Sequence, residues 1–249
     1  MKIFITILIS INLLCTNIHA DISRDKLYTY LDISVGGAMF LSYHSDTIIK
    51  FARKGLDKES LKKMLDDEKY LNLYTSDFIK LNNVYYDEII KFYKTDVGKK
   101  YTKSMYNMSK IDKHEIKRLY SQNKCSNNKQ MLIAKIRNEL NLIDFKMEFA
   151  KKSFDNINTL QSNDLKKSIY EMEISKSTYK AKLIQREKIM SCIRYENFTL
   201  KELKEVYKYA STEVGKYEVK LMYEGFARYL KVFLEDIRSI QKNTKEDKR

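Results

Sequence analysis

The sequence predicts an all-α protein made of two tandem, related helical units that pack together as a bundle. Apolar residues recur at intervals of three or four along most of the chain, and the alternation typical of strands is scarce. The 249 residues contain no proline and only six glycines, which disfavours a turn-rich β-sandwich. A segment of the first half also recurs in the second half at a constant offset of 117 residues.

The first segment, residues 1–20, has the layout of a secretory signal peptide. Lys2 supplies a positive start, residues 3–14 form an apolar run, and Ala20 is a small residue at the expected cleavage point. The apolar run of 12 residues is too short for a bilayer crossing, which needs roughly 20. We therefore expect export and removal of residues 1–20. The alternative is a permanent N-terminal anchor.

The composition is that of a folded, basic chain. Hydrophobic residues make up 43% of the sequence, enough to build a core, which excludes a disordered tail. The 47 Lys and Arg residues outnumber the 33 Asp and Glu residues, for a formal charge of +14. Both signs are interspersed, as on solvated helix faces. Outside the cytoplasm this charge would meet anionic envelope components, and we expect no nucleic-acid partner and no transmembrane span after cleavage.

Residues 21–122 form the first predicted unit. It opens with an amphipathic run whose apolar members are Leu27, Leu31, Val35 and Ala38. Asn82 is a suitable N-cap for a later helix. The apolar face of that helix comprises Ile89, Tyr93, Val97, Tyr101 and Met105.

The repeated segment has the pattern Thr-acid-Val-Gly-Lys in both halves. Residues 88–106 match residues 205–223 at nine of 19 positions without gaps. In each copy the threonine can cap a following helix, the acid lies in its first turn, and the glycine permits close helix approach. The alternative, an anion site at the helix N-terminus, is disfavoured because the acid occupies that place. The motif positions are Thr95, Val97, Gly98, Thr212, Val214 and Gly215.

Residues 123–240 form the second predicted unit, which follows a polar junction at residues 121–128. Thr199 and Glu202 have the spacing of a capping box at the start of the second repeat helix. Residues 241–249 lack apolar side chains and are predicted to be a flexible basic tail. Three further amphipathic runs precede the capping box, namely 131–149, 165–174 and 183–193.

Cys125 and Cys192 are the two cysteines that remain after cleavage, and we predict a disulfide between them. An exported chain with one pair of cysteines most often oxidises it. The alternative is a reactive thiol, which neither sequence context favours. The bond would tie the junction between the units to the segment before the last helices.

The sequence contains no recognisable catalytic or metal-binding motif. His44 and His114 are far apart and lack the spacing of a zinc site. Nucleophile elbows and glycine-rich phosphate loops are also missing from the sequence. We therefore predict a non-enzymatic protein with no cofactor and no metal.

Residues 92–98, Phe-Tyr-Lys-Thr-Asp-Val-Gly, resemble the motif of the domain-of-unknown-function family numbered two thousand and fifty-nine. That motif reads roughly Phe-Tyr-x-Ser/Thr-Pro-x-Gly, and Asp96 stands here in place of the proline. Members are exported, helical bacterial proteins, so the resemblance implies an all-α fold and a periplasmic location, with full secretion as the alternative. It implies no activity, and no catalytic residue is carried over.

Three functions remain open at this point. The leading hypothesis is an envelope binding or scaffolding protein whose partner is an envelope protein or an anionic envelope component. The second is a carrier that holds a hydrophobic small molecule or lipid between helices, and the third is a catalyst without a known motif. A broad exposed Tyr/Lys groove would favour the scaffold, a closed cavity lined by Tyr, Met and Ile the carrier, and buried acids in a cleft the catalyst.

Overall fold

The protein is all-α, as predicted, in a computed structural model that describes residues 22–40, 59, 68–110, 118, 125–157 and 176–246. None of these residues belongs to a strand. Three features of the sequence analysis lie outside the described residues: the segment 1–20, the run at 165–174, and the two histidines His44 and His114. None of the helices within the described ranges combines the length and apolar character that a membrane crossing requires.

The described part of the first half contains four helices, and residues 35–40 are helical as well. The helices are α1 (Arg24–Ile33), α2 (Glu68–Thr75), α3 (Asn83–Lys94) and α4 (Asp96–Lys110). The amphipathic run predicted to start at Leu27 is interrupted at Ser34, which has an extended backbone. The Ser34 hydroxyl accepts a hydrogen bond from the Gly37 N–H at 3.0 Å. Ser34 thus acts as a local cap, which periodicity alone does not reveal.

Five helices lie in the described ranges of the second half, 125–157 and 176–246. They are α5 (Asn127–Glu139), α6 (Leu142–Ile157), α7 (Lys176–Arg194), α8 (Leu200–Ala210) and α9 (Glu213–Glu246). The amphipathic run predicted at 131–149 is helical but divided between two helices, because α5 ends at Glu139 and Asn141 adopts a left-handed backbone with φ of 49°. Asparagine tolerates this conformation better than most residues do. Helix α9 continues into the segment predicted as the tail.

Two helix starts follow the predicted capping chemistry. The Thr199 hydroxyl accepts from the Glu202 N–H, and the Glu202 carboxylate accepts from the Thr199 N–H at 2.7 Å, so the capping box is confirmed. At α3, the Asn82 side chain accepts from the Tyr85 N–H at 2.8 Å. These caps supply partners for N–H groups that a helix start leaves free.

The long helix α9 packs against α2 and α6, while α8 packs against α5. Many tyrosines are core residues, as predicted for a chain without tryptophan. A buried aromatic group joins α2 and the turn after it to α9, and its rings contact one another at angles from tilted to perpendicular. Its members are Tyr70, Tyr74, Phe78, Phe226, Tyr229 and Phe233.

The disulfide between Cys125 and Cys192 is present, with the two Cα atoms 5.7 Å apart. It holds the segment that leads into α5 against the last turn of α7. Two hydrogen bonds reinforce the same junction, because Gln130 donates to the Cys125 carbonyl and Lys129 donates to the Glu196 carbonyl, both at 2.7 Å. The C-terminal end of α7 is therefore fixed in position.

Candidate ligand-binding site

The first repeated segment forms a sharp connection between α3 and α4, here called the first elbow (residues 92–98). The Thr95 hydroxyl donates to the Phe92 carbonyl at 2.7 Å and accepts from the Gly98 N–H at 3.0 Å. Asp96 lies in the first turn of α4. The Thr95 hydroxyl thus supplies a hydrogen-bond partner to a carbonyl at the end of α3 and to an N–H at the start of α4.

The second repeated segment forms the same connection between α8 and α9, here called the second elbow (residues 209–215). The Thr212 hydroxyl donates to the Tyr209 carbonyl at 2.7 Å and accepts from the Gly215 N–H at 3.0 Å. Glu213 lies in the first turn of α9. The hydrogen bonds of the two elbows correspond atom for atom.

The glycines of the elbows allow the backbone to turn back on itself. A Cβ atom at Gly98 would lie 2.1 Å from the Phe92 carbonyl oxygen, and one at Gly215 would lie 2.4 Å from the Tyr209 carbonyl oxygen. Both distances are too short for any side chain. The close approach predicted for these glycines is made by the preceding helix of the same elbow.

The two elbows face each other. The rings of Phe92 and Tyr209, which hold the same position in each elbow, stack with centroids 3.9 Å apart. Helix α3 packs on α9 and α4 packs on α8, so each elbow crosses the other.

Contacts on either side of this stack also correspond. Lys100 on α4 donates to Glu202 on α8 at 2.7 Å. At the offset of 117, Lys100 corresponds to Tyr217, and Glu202 corresponds to Tyr85. These two rings are in contact, with centroids 5.7 Å apart. The two pairs of positions that the offset relates to each other, 100 with 202 and 217 with 85, are therefore both in contact.

A partly enclosed cavity lies beside the stack, between the two elbows and helices α6 and α7. The space open to the centres of water molecules is about 60 Å³. Tyrosine and methionine provide much of its wall, with valine and leucine elsewhere. The tyrosines and two of the methionines are Tyr93, Tyr101, Tyr209, Tyr223, Met105 and Met222.

Glu218 is the buried acid of this cavity, with 1% of its surface exposed. One carboxylate oxygen, Oε1, accepts a hydrogen bond from the Tyr30 hydroxyl at 3.0 Å. The other, Oε2, accepts from Tyr93 at 3.2 Å and from Tyr209 at 2.6 Å. Burial raises the pKa of Glu218 to about 7, although the three hydrogen bonds oppose the shift.

The three tyrosine hydroxyl groups around Glu218 remain protonated and therefore remain hydrogen-bond donors. Burial and the nearby Glu218 carboxylate raise the pKa of Tyr30, Tyr93 and Tyr209 well above the usual tyrosine value. All three therefore keep their protons around neutral pH. The carboxylate is held in one orientation by groups from helices α1, α3 and α8.

Arg194 and Lys146 carry positive charge into the cavity wall. Lys146 forms an ion pair with Glu187, and Arg194 lies over the ring of Tyr195 at 6.0 Å. Burial disfavours the charged form of Glu187, but the cations Lys146 and Arg194 outweigh it and lower its pKa. The buried Nε of Arg194 has no hydrogen-bond partner among the described residues.

Arg194 also borders a wider groove on the surface. The space open to water centres there is about 380 Å³. Lys100 and Lys103 add two further cations, and Lys100 lies 4.9 Å from the centre of the Phe198 ring. The groove is thus basic and partly aromatic, although Glu196 is among its lining residues.

The predicted site residues lie around the cavity rather than in its wall. Cys125 and Cys192 fix the end of α7 that carries Arg194, and the six motif residues shape the elbows. Glu218, Tyr30 and Arg194 were missed by the sequence analysis. One sequence feature could have indicated that Glu218 is buried: it lies on the apolar stripe of α9, four residues after Val214 and four before Met222.

Within the described part of the chain, no cluster of three or more His, Cys, Asp or Glu side chains could hold a metal ion. No protein family model, curated protein or solved structure matches the chain. The resemblance of residues 92–98 to the family numbered two thousand and fifty-nine stays a prediction.

Proposed function

We propose that this protein is an exported, non-enzymatic binding protein that holds a small ligand in the cavity between two related helical units. The observation that carries the proposal is the cavity wall, in which tyrosine and methionine side chains surround one oriented, buried carboxylate. Ligand sites are typically concave and apolar with a few fixed polar groups. The disulfide fits an oxidising compartment and supports export.

The position of the cavity supports the proposal of two related units. Its wall contains three pairs of positions that correspond at the offset of 117, Met105 with Met222, Tyr101 with Glu218 and Tyr93 with Ala210. The first pair is identical, whereas the second sets a phenol against a carboxylate. In this proposal a site arose where two similar surfaces meet and then became asymmetric at residue 218.

The dimensions favour a small ligand over a lipid. Since one water molecule needs about 15 Å³ of space measured in this way, the cavity of about 60 Å³ has room for roughly four. An acyl chain needs far more. The carrier hypothesis is therefore narrowed to small molecules.

Glu218 has in this proposal the role of a fixed acceptor rather than that of a general base. The buried acid is the feature that favours a catalyst, but three hydroxyl donors already occupy most of its lone pairs. The mass of the bound compound separates the two roles, because a carrier releases its ligand unchanged.

The test is native mass spectrometry of the oxidised protein incubated with a small-molecule extract of the cell envelope. Wild type is expected to retain a compound and to release it with unaltered mass. Ala210→Leu, which extends a side chain from the cavity wall, should abolish retention. Ala181→Leu adds the same side chain at an exposed helical position and serves as the control. Equal retention by both variants would contradict a cavity site.

A second candidate function is binding to an anionic envelope component through the basic groove. Its support is the grouping of Lys100, Lys103 and Arg194 along one groove. Lys103→Gln should then weaken retention on an anionic polymer more than Lys204→Gln, an exposed control on α8. Equal effects would indicate general attraction by the net charge.

A further inference from the structure

We infer that the cavity binds a short amino acid as a zwitterion, whose ammonium group donates to Glu218 and whose carboxylate accepts from Arg194. This inference rests on the proposed function, because it names the ligand class of the same cavity. It starts from the two opposite charges in one wall.

The Glu218 end has one place for a further donor. A carboxylate offers about four lone-pair positions, and hydroxyl groups of the described residues occupy one on Oε1 and two on Oε2. An ammonium N–H can occupy the second position on Oε1. It also compensates the buried negative charge, which a neutral hydroxyl or water cannot do. The rings of Tyr93 and Tyr209 add an aromatic surface that attracts cations.

The Arg194 end calls for an acceptor. A buried donor without a partner costs about 1–3 kcal/mol, and the Nε of Arg194 is such a donor within the described residues. A planar guanidinium matches a carboxylate better than any other anion of similar size except phosphate. Lys146 adds positive charge at this end, although its ion pair with Glu187 balances part of it.

The two ends together select against ligands with a single charge. An alkylamine would leave the Nε of Arg194 without an acceptor, and a simple carboxylate would leave Glu218 without its fourth donor. Each unmet buried group weakens binding. The small volume limits the ligand to a molecule near the size of glycine, β-alanine or 4-aminobutyrate.

The experiment is titration calorimetry of the oxidised chain with those three amino acids, which place the two charges at increasing separation. One of the three is expected to bind at least about 10-fold more tightly than its methyl ester and its N-acetyl form, each of which removes one charge. Glu218→Gln and Arg194→Gln should each weaken binding by a similar factor. The controls on the same helices are Glu224→Gln and Arg186→Gln, which should bind as wild type does.

A measurement on the wild-type protein covers the case in which a cavity variant does not fold. The Nε–H resonance of Arg194 should shift on addition of the amino acid that binds and should not shift with its methyl ester.

Binding of none of the three amino acids would overturn the inference. If the envelope extract still supplied a compound displaced by Ala210→Leu, the proposed function would stand with another ligand. If wild type retained no compound at all, the proposed function and this inference would both be refuted. Equal binding of the amino acid and its blocked forms would also overturn the inference.

Discussion

Phe92 and Tyr209 stack face to face, with ring centroids 3.9 Å apart and ring planes only 2° from parallel. The two residues occupy the same position in the two elbows. Tyr209 also donates from its hydroxyl to Glu218 at 2.6 Å. The stack between the elbows is therefore in direct contact with the group that orients the acid of the cavity.

Replacing Phe92 with leucine should destabilise the fold by about 1–2 kcal/mol, since it removes the aromatic stack at a half-buried position. Chemical denaturation measures this loss. Tyr28→Leu, at an exposed aromatic position, should change the free energy of unfolding by less than about 0.5 kcal/mol. Equal effects would show that the stack contributes no stability of its own.

Alanine at Gly98 or Gly215 should destabilise the protein by about 2 kcal/mol or more, against the usual gain of about 1 kcal/mol for alanine over glycine in a helix. The new Cβ would meet a backbone carbonyl oxygen at 2.1 or 2.4 Å, and the elbow would have to open. Thermal denaturation tests both variants. Lys99→Ala, at an exposed neighbouring position, is the control and should have little effect. A stabilised Gly98→Ala would contradict the elbow geometry.

Stability should fall as pH rises from about 4.5 to about 7, because of Glu218. Burial raises the pKa of this acid from 4.5 to about 7. The folded state therefore binds the proton more tightly, and this contribution is complete below pH 4.5 and lost above pH 7. Its size is about 3 kcal/mol, at 1.36 kcal/mol for each pH unit between the two values.

Glu218→Gln should remove this part of the pH dependence, as measured by urea denaturation at pH 5 and pH 8. Glu224→Gln on the same helix should keep it. The ionisable groups that face Glu218 do not titrate in this interval, since burial raises the pKa of each tyrosine. They are Tyr30, Tyr74, Tyr93, Tyr101 and Tyr209, and Lys146 and Arg194 line the same cavity. An unchanged pH profile in Glu218→Gln would refute the assignment.

Loss of the disulfide should lower the free energy of unfolding by about 4 kcal/mol in the chain-entropy description, because the bond closes a loop between positions 67 apart. The Cys125→Ser/Cys192→Ser double variant and reduced wild type should agree in denaturation experiments. In both, the end of α7 that carries Arg194 should exchange its amide hydrogens faster. Slow exchange there after reduction would contradict this role of the bond.

Local features were predictable because their partners are close in sequence. The capping box needs only Thr199 and Glu202, three residues apart, and each elbow needs a threonine and the glycine three residues later. Periodicity failed at Ser34 and Asn141, where one residue with an unusual backbone or a capping side chain interrupts an apolar pattern. Such interruptions leave the spacing of the flanking apolar residues unchanged.

The sequence by itself determined the helical class, the caps, the repeated elbows and the pair of cysteines, because these depend on residue types at short spacings. Only the tertiary structure decided that Tyr30 donates to Glu218, although 188 positions separate them, and that Arg194 shares their cavity. Desolvation and hydrogen bonding change the pKa and orientation of an ionisable group, and both depend on which residues the fold places around it. An acid on an apolar stripe therefore becomes a buried, oriented carboxylate only when several helices enclose it.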